Sequence, residues 1–383
     1  MASADELPNF GPAIVDIDSG RIWSFAALGA ALIGQPSDVS IRFLGWTPEN
    51  EALVRVSGGG RATIYVALLG KAFVPWAVAT GSGDVRYSPD GLLVAVDHTI
   101  YDPSSGLAVV ELPPGEFIGW SADSRYFAVG GDPDDQVPRV LAWDRETGRF
   151  EEATLAVTGI WSSTGHRIAY GLDRNDATET GLNEILIVEF PDNPGITPLA
   201  RIRGVSARPL AWSYDDAYLA VTVTQPSSGD PTIGNRVADI HIVDMHSGET
   251  VVVIGGAWQA AWSPTTDLLL FTGNVCSSFD IFTLRSDGTG LRNYTSSPDT
   301  DLNPLWAPNG EVAAFVSFGE DAVRLNLATI RDGSVETLFS ARPDEMHPLS
   351  WSPDGRFLEF RYGGGHGLCK LRMPQDTEVK VLG

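Results

Sequence analysis

The chain has 383 residues, with 26 basic and 49 acidic side chains and a net charge of −23. That balance excludes the clustered basic surface that DNA, RNA or an anionic membrane would need for phosphate neutralisation. Two cysteines, Cys276 and Cys369, exclude a disulfide scaffold and a multi-cysteine metal cluster, while 41 Gly and 25 Pro announce many turns.

In chain order, the start Met1-Ala-Ser-Ala-Asp-Glu-Leu-Pro8 has neither a positive n-region nor an apolar h-region. No signal peptide is visible, so the protein is expected to be cytoplasmic or to lack its leader. Ala13 to Phe25 reads as a hairpin, the third and fourth strands of a unit without its first two. Residues 1–39 are therefore an extra hairpin and linker, which either closes a ring by joining the last unit or remains from a longer N-terminus. The small-apolar run from Phe25 to Gly34 is far short of the roughly 20 residues that span a bilayer.

From residue 40 to 383 one phrase recurs. It is seen as Gly45-Trp-Thr-Pro-Glu-Asn, Arg86-Tyr-Ser-Pro-Asp-Gly, Gly119-Trp-Ser-Ala-Asp-Ser, Ile160-Trp-Ser-Ser-Thr-Gly, Ala211-Trp-Ser-Tyr-Asp-Asp, Ala261-Trp-Ser-Pro-Thr-Thr, Leu305-Trp-Ala-Pro-Asn-Gly and Ser350-Trp-Ser-Pro-Asp-Gly. The aromatic anchors Trp46, Tyr87, Trp120, Trp161, Trp212, Trp262, Trp306 and Trp351 lie about 44 residues apart on average, the period of propeller blades. Each phrase precedes an apolar run of strand length, such as Leu92–Val96, Tyr126–Val129, Tyr218–Val223, Leu268–Phe271 and Val312–Val316. These read as strands buried on both faces. A second hairpin follows in each unit, as in Ile240-His-Ile-Val-Asp-Met-His-Ser-Gly-Glu-Thr-Val-Val-Val253. Four strands per unit, here a to d, cannot bury both faces of their sheet alone, and radial packing against like sheets solves this. The expectation is an all-β β-propeller of four-stranded antiparallel blades, eight in number. Seven is the fallback, because the Trp161 unit lacks Pro-Asp and the Tyr87 unit is short.

The Trp-Ser-Pro-Asp-Gly phrase followed by a buried strand resembles the WD40-like (PD40) repeat of the TolB family. The best matches are Leu284-Arg-Ser-Asp-Gly-Thr-Gly-Leu-Arg-Asn-Tyr-Thr295 with Asp299 to Gly310, and Trp351-Ser-Pro-Asp-Gly-Arg-Phe-Leu-Glu-Phe360. The resemblance implies a bacterial interaction scaffold in the periplasm or outside the cell. It departs from TolB proper, which has six repeats behind a separate α/β domain, so TolB's specific partners are not carried over.

Asp90 and Asp354 invite a catalytic or metal reading, but Pro, Asp and Gly in this order suit an a–b turn. Asp16-Ile-Asp18-Ser-Gly20 lacks the further acidic ligands of a calcium loop and reads as a turn. No His pair has helical metal spacing, and no Gly-x-Ser-x-Gly elbow or nucleotide fingerprint occurs. No metal and no cofactor is therefore expected. Cys276 and Cys369 are separated by a whole blade, beyond the roughly 7 Å between Cα atoms that a disulfide allows, so free thiols are expected.

Strand order puts the a–b and c–d turns at one end of each sheet, and the b–c loops with the d–a crossovers at the other. The b–c loops vary in length and carry Asp134, Asp135, Arg139, Asp176, Glu179, Asp230 and Arg236, a candidate binding face for a protein or peptide, with a basic partner favoured. Just before the anchors, Arg42, Asp84, Arg208, Gln259, Asp301, Asn303 and His347 form a second candidate site at a channel mouth. The leading expectation is a non-enzymatic, monomeric scaffold. The alternatives are a propeller lyase or hydrolase acting on a polysaccharide or peptide near His347, Arg208 and Asp301, and an extracytoplasmic sensor domain.

Overall fold

A computed structural model describes residues 11–18, 22–24, 40–58, 61–68, 72–75, 85–130, 139–154, 159–173, 182–190, 193–203, 206–225, 237–275, 278–341, 346–362 and 378–381. Every regular element among them is a β-strand. The first hairpin is β1 (Gly11–Asp16) and β2 (Ile22–Ser24). The Trp46 sheet holds β3 (Ser40–Trp46), β4 (Ala52–Gly58), β5 (Arg61–Leu68) and β6 (Ala72–Pro75). The Tyr87 sheet holds β7 (Val85–Tyr87), β8 (Val94–Val96), β9 (Thr99–Tyr101) and β10 (Ala108–Glu111). In the Trp120 sheet are β11 (Phe117–Trp120), β12 (Tyr126–Gly130), β13 (Arg139–Asp144) and β14 (Arg149–Thr154). In the Trp161 sheet are β15 (Ile160–Trp161), β16 (Arg167–Asp173), β17 (Leu182–Glu189) and β18 (Asn193–Arg203).

The Trp212 sheet follows with β19 (Ser206–Trp212), β20 (Tyr218–Gln225), β21 (Val237–Asp244) and β22 (Thr250–Gly255). Next come β23 (Ala257–Trp262), β24 (Leu269–Val275), β25 (Ser278–Leu284) and β26 (Arg292–Asn293) of the Trp262 sheet. The Trp306 sheet is β27 (Thr300–Trp306), β28 (Val312–Phe318), β29 (Val323–Thr329) and β30 (Val335–Ala341). Finally β31 (Met346–Trp351) and β32 (Phe357–Tyr362) join the first hairpin in the order β2-β1-β32-β31, with Ala13 opposite Phe360 and Asp16 opposite Phe357. The last strand, β33 (Glu378–Val381), adds a fifth to the Trp212 sheet, outside β22.

Eight antiparallel sheets, each begun by one of the eight phrases, make the fold an all-β propeller. Two compact units divide the chain, one of Met1–Leu112 and Ala307–Leu368, the other of Pro113–Trp306 and Cys369–Gly383. In each, the b strands are buried on both faces, as β8, β12 and β28 show. The run that begins at Leu92 is a correction: the strand starts only at Val94, and Leu92 itself is 59% exposed in the turn.

Sheet-on-sheet packing supplies the core. In the first unit, Ile14, Ala52, Val54 and Val56 pack with Phe43, Trp46 and Phe357, and Leu53 and Ile64 pack with Val85, Val94 and Val96. In the second, Tyr126, Tyr170, Leu186 and Phe190 form one such layer, Ile185, Leu219 and Val221 a second, and Ile242, Val252, Phe271 and Phe282 a third. The anchor indoles bridge these layers polarly as well. Trp161, Trp212 and Trp306 donate Nε1–H to the carbonyls of Gly119, Ile160 and Ala261, each the residue just before the preceding anchor, at 2.8, 3.2 and 2.9 Å. Trp46 does the same to the Ser350 hydroxyl at 3.0 Å. Trp262 breaks the series, because its buried Nε1 has no acceptor.

Candidate functional site

At the a–b turns, the phrase is a hydrogen-bonded device. The Ser88, Ser121, Ser213 and Ser352 hydroxyls donate to Asp90, Asp123, Asp215 and Asp354 at 2.6, 2.5, 2.7 and 2.6 Å. The same carboxylate oxygens accept the N–H of Leu92, Arg125, Ala217 and Arg356 at 3.0 to 3.1 Å. The last position of the phrase, four residues after the anchor, is left-handed at Asn50, Gly91, Ser124, Gly165, Asp216, Gly310 and Gly355, where a side chain is strained unless it can bond locally. Asp90 and Asp354 are turn-builders, each with a carboxylate oxygen bonded to the Ser hydroxyl and a backbone N–H of its own turn.

Two of these side chains reach the neighbouring sheet's turn. Asn50 accepts the Asp354 N–H at 2.9 Å. Asp216, 3% exposed, accepts the N–H groups of Ser163 and Thr164 at 2.6 and 3.2 Å and the Thr164 hydroxyl, with Arg167 at 3.5 Å. The sequence reading missed this role; its only signal is an acid where the phrase usually has Gly.

The c–d turns repeat the local chemistry. Asp102, Asp144, Asp244, Asp287 and Asp332 each accept the N–H two residues on, from Ser104, Glu146, His246, Thr289 and Ser334. The Ser104 hydroxyl holds the Asp102 carboxyl down at about 2, and the Thr289 hydroxyl likewise lowers Asp287. Burial pulls Asp144 up, but the Arg125 guanidinium, the Glu146 N–H and the Thr147 hydroxyl together outweigh it and the carboxyl lies below its usual range. Gly248 closes one such turn with φ +74°, and a Cβ there would stand 2.2 Å from the Leu199 carbonyl oxygen. Asp16 is also a turn residue, bonded to the Asp18 N–H at 3.1 Å and to Arg356 at 3.0 Å.

The middle of strand a is built differently in two neighbouring sheets. Gln259 and Asn303 stand three residues before their anchors, in left-handed backbone with φ 52° and 58°. At Gln259 the ladder skips from Trp258 to Ala260, one residue earlier than the skips in the Trp46, Trp120, Trp212 and Trp351 sheets. The two amides join: Gln259 Nε2 donates to Asn303 Oδ1 at 2.7 Å, and Gln259 Oε1 accepts the Asn303 N–H at 3.0 Å and the Thr272 hydroxyl at 3.3 Å. Left-handed non-glycine residues at bulges concentrate where a fold positions ligand-binding groups. A neutral amide pair offers donors and acceptors but no nucleophile and no general base.

Of the other channel-mouth residues in the second unit, Arg208 is exposed opposite Thr222, and Asp301 is fully buried in β27. Arg42, exposed opposite Arg55, and His347, opposite Arg361 in β31, belong to the first unit. Asp84, Asp134, Asp135, Asp176, Glu179, Asp230, Arg236, Cys276 and Cys369 lie outside the described residues, as do the side chains of Arg139 and His347.

Two titratable groups with buried, unpartnered atoms were not anticipated. Asp280, 2% exposed, accepts Asn293 Nδ2–H at 2.6 Å through Oδ2 while Oδ1 has no partner, and burial raises its pKa. A lone acid inside Ser278-Phe-Asp-Ile-Phe-Thr-Leu284 was the available signal. His241 keeps Nδ1 buried without a partner, and burial lowers its pKa, favouring the neutral ring.

No family model matches the chain. It is 32% identical over 144 residues to an uncharacterized protein of Agrobacterium fabrum, covering 34% of this chain and 49% of that one. It is 34% identical over 170 residues to a TolB homolog of Chlorobium luteolum, covering 44% of this chain and 35% of the homolog. The chain thus spans half or less of these curated relatives. Among solved structures, a TolB from Agrobacterium tumefaciens superposes on 92% of this chain and 98% of its own, with 16% identity and a TM-score of 0.41. The similarity to TolB homologues accords with the propeller fold.

Proposed function

We propose that the protein is a TolB-like binding scaffold of the bacterial cell envelope that holds a protein or peptide partner at the end of the sheets carrying the strand-a starts and b–c loops. The observation that carries this is the division of polar groups. The acids of the repeated phrase are committed to a Ser hydroxyl and a backbone N–H of their own turns, whereas the Gln259–Asn303 amide pair stands in strained backbone inside strand a, three residues before the anchors. Amides of this kind suit recognition of a peptide group, and the acidic sequence of the b–c loops favours a basic partner. The envelope location rests on the likeness to TolB homologues.

The test pairs two variants, one with charge reversal at Asp134, Asp135, Asp176 and Glu179, the other with Gln259→Ala and Asn303→Ala. Both should lose the partners captured by the intact chain from an envelope extract. An unchanged partner set contradicts the proposal, and turnover of a polysaccharide or peptide that disappears in His347→Ala favours the enzyme reading instead.

A further inference from the structure

Outer strands of blades present unpaired backbone groups, and proteins blunt such edges with charge, proline or short length. Most outer strands here follow that rule: β6 ends in Pro, β14 carries Arg149, Glu151 and Glu152, β18 has two prolines and two arginines, and β26 has two residues. β10 and β30 each carry a Glu, and β2 has three residues. β22 is the exception, reading Thr250-Val-Val-Val-Ile-Gly255: five β-branched residues in succession with no charge and no proline. This is the composition most prone to recruit another strand, and it is the edge that the chain covers with β33. Val252, Val253, Ile254 and Gly255 face Val381, Lys380, Val379 and Glu378 in antiparallel register. Only four residues make the cover, against eight in β20 and β21 of the same sheet.

We propose that the outer edge of β22 is a strand-accepting peptide site, and that Glu378–Val381 is its built-in occupant. An extended segment in which β-branched and charged residues alternate adds antiparallel to Thr250–Gly255 in the place of β33, by main-chain hydrogen bonding in the manner of β-augmentation. The tethered strand competes at an effective concentration on the order of 1 mM, so the edge stays closed until a partner segment displaces it. This surface is separate from the strand-a end assigned above and stands or falls independently of it.

The test inserts a site-specific protease sequence after Met373, so that the chain folds intact before Pro374–Gly383 is cut free and removed by gel filtration. Fluorescein-labelled Pro374–Gly383 peptide is then titrated and followed by anisotropy. The cut chain should bind it saturably, and the uncut chain about tenfold more weakly or less. N–H groups of a paired strand alternate between its two edges. Peptides N-methylated at Val379 and Val381, or instead at Glu378 and Lys380, should therefore differ, one pair abolishing binding and the other sparing it. A chain terminated at Met373 repeats the titration without the inserted sequence. Failure of the cut chain to bind the peptide, equal binding by the uncut chain, or equal behaviour of the two methylated peptides overturns the proposal.

Discussion

The a–b turns and the middle of strand a solve one backbone problem in opposite ways. At the a–b turns, left-handed residues are mostly Gly, Asn or Asp, and neighbouring acids satisfy the local N–H groups. Inside strand a, Gln259 and Asn303 are left-handed without that turn chemistry and are held by each other's amides across adjacent sheets. The turns are an economical structural solution repeated along the chain. Gln259 and Asn303 carry backbone strain that their shared amide contact helps to offset.

The sharpest way to break this contrast is at Asp216. Asp216→Ala strands the Ser163 and Thr164 N–H groups and leaves Ala in left-handed backbone, so it should cost about 3 kcal/mol, read from the urea midpoint. Asp215→Ala, which loses one exposed turn bond to Ala217 and one to Ser213, should cost about 1 kcal/mol. Equal costs would mean that the Asp216 contact adds nothing across the sheets.

Asp280 sharpens the electrostatic side. Its folded pKa is raised above the 3.8 of the unfolded chain, so the folded state holds the proton more tightly. Its contribution is fully present below 3.8 and is lost as pH rises through the folded pKa. Melting temperature followed upward from about pH 4 should fall more steeply in the parent than in Asp280→Asn. Parallel profiles would contradict the assignment.

Smaller effects separate the anchors. Trp306→Phe forfeits the bond to Ala261, whereas Trp262→Phe removes a buried N–H that has no acceptor. Thermal unfolding should show Trp306→Phe to be worse by about 1 kcal/mol, and the reverse order would contradict the bridging role. Smallest is the strain itself: Gln259→Gly should be more stable than Gln259→Ala by about 1 kcal/mol, since both lose the amide and only Gly tolerates φ 52° freely.

Much of this architecture was legible in the residues. The phrase that begins at each anchor carries its own turn, and the apolar run behind it is a strand buried by its neighbours, so periodicity exposed the eight blades. Leu92 was misplaced because its apolar character says nothing of the turn that projects it outward. Asp216 was invisible in its cross-sheet role, because Tyr-Asp-Asp reads as local turn chemistry and the register of two neighbouring sheets has no sequence signature. Gln259 and Asn303 look ordinary until the structure shows their left-handed backbone. β33 escaped for a related reason: Glu-Val-Lys-Val follows no phrase, and its pairing with β22 spans more than a hundred residues, which periodicity does not report.

Hydrogen exchange of the intact chain with and without the partner it retains tests the central division most directly. Protection on binding should appear around Gln259, Asn303 and the b–c loops and leave the turns at Asp90, Asp123, Asp215 and Asp354 unchanged. Protection confined to those turns would contradict it.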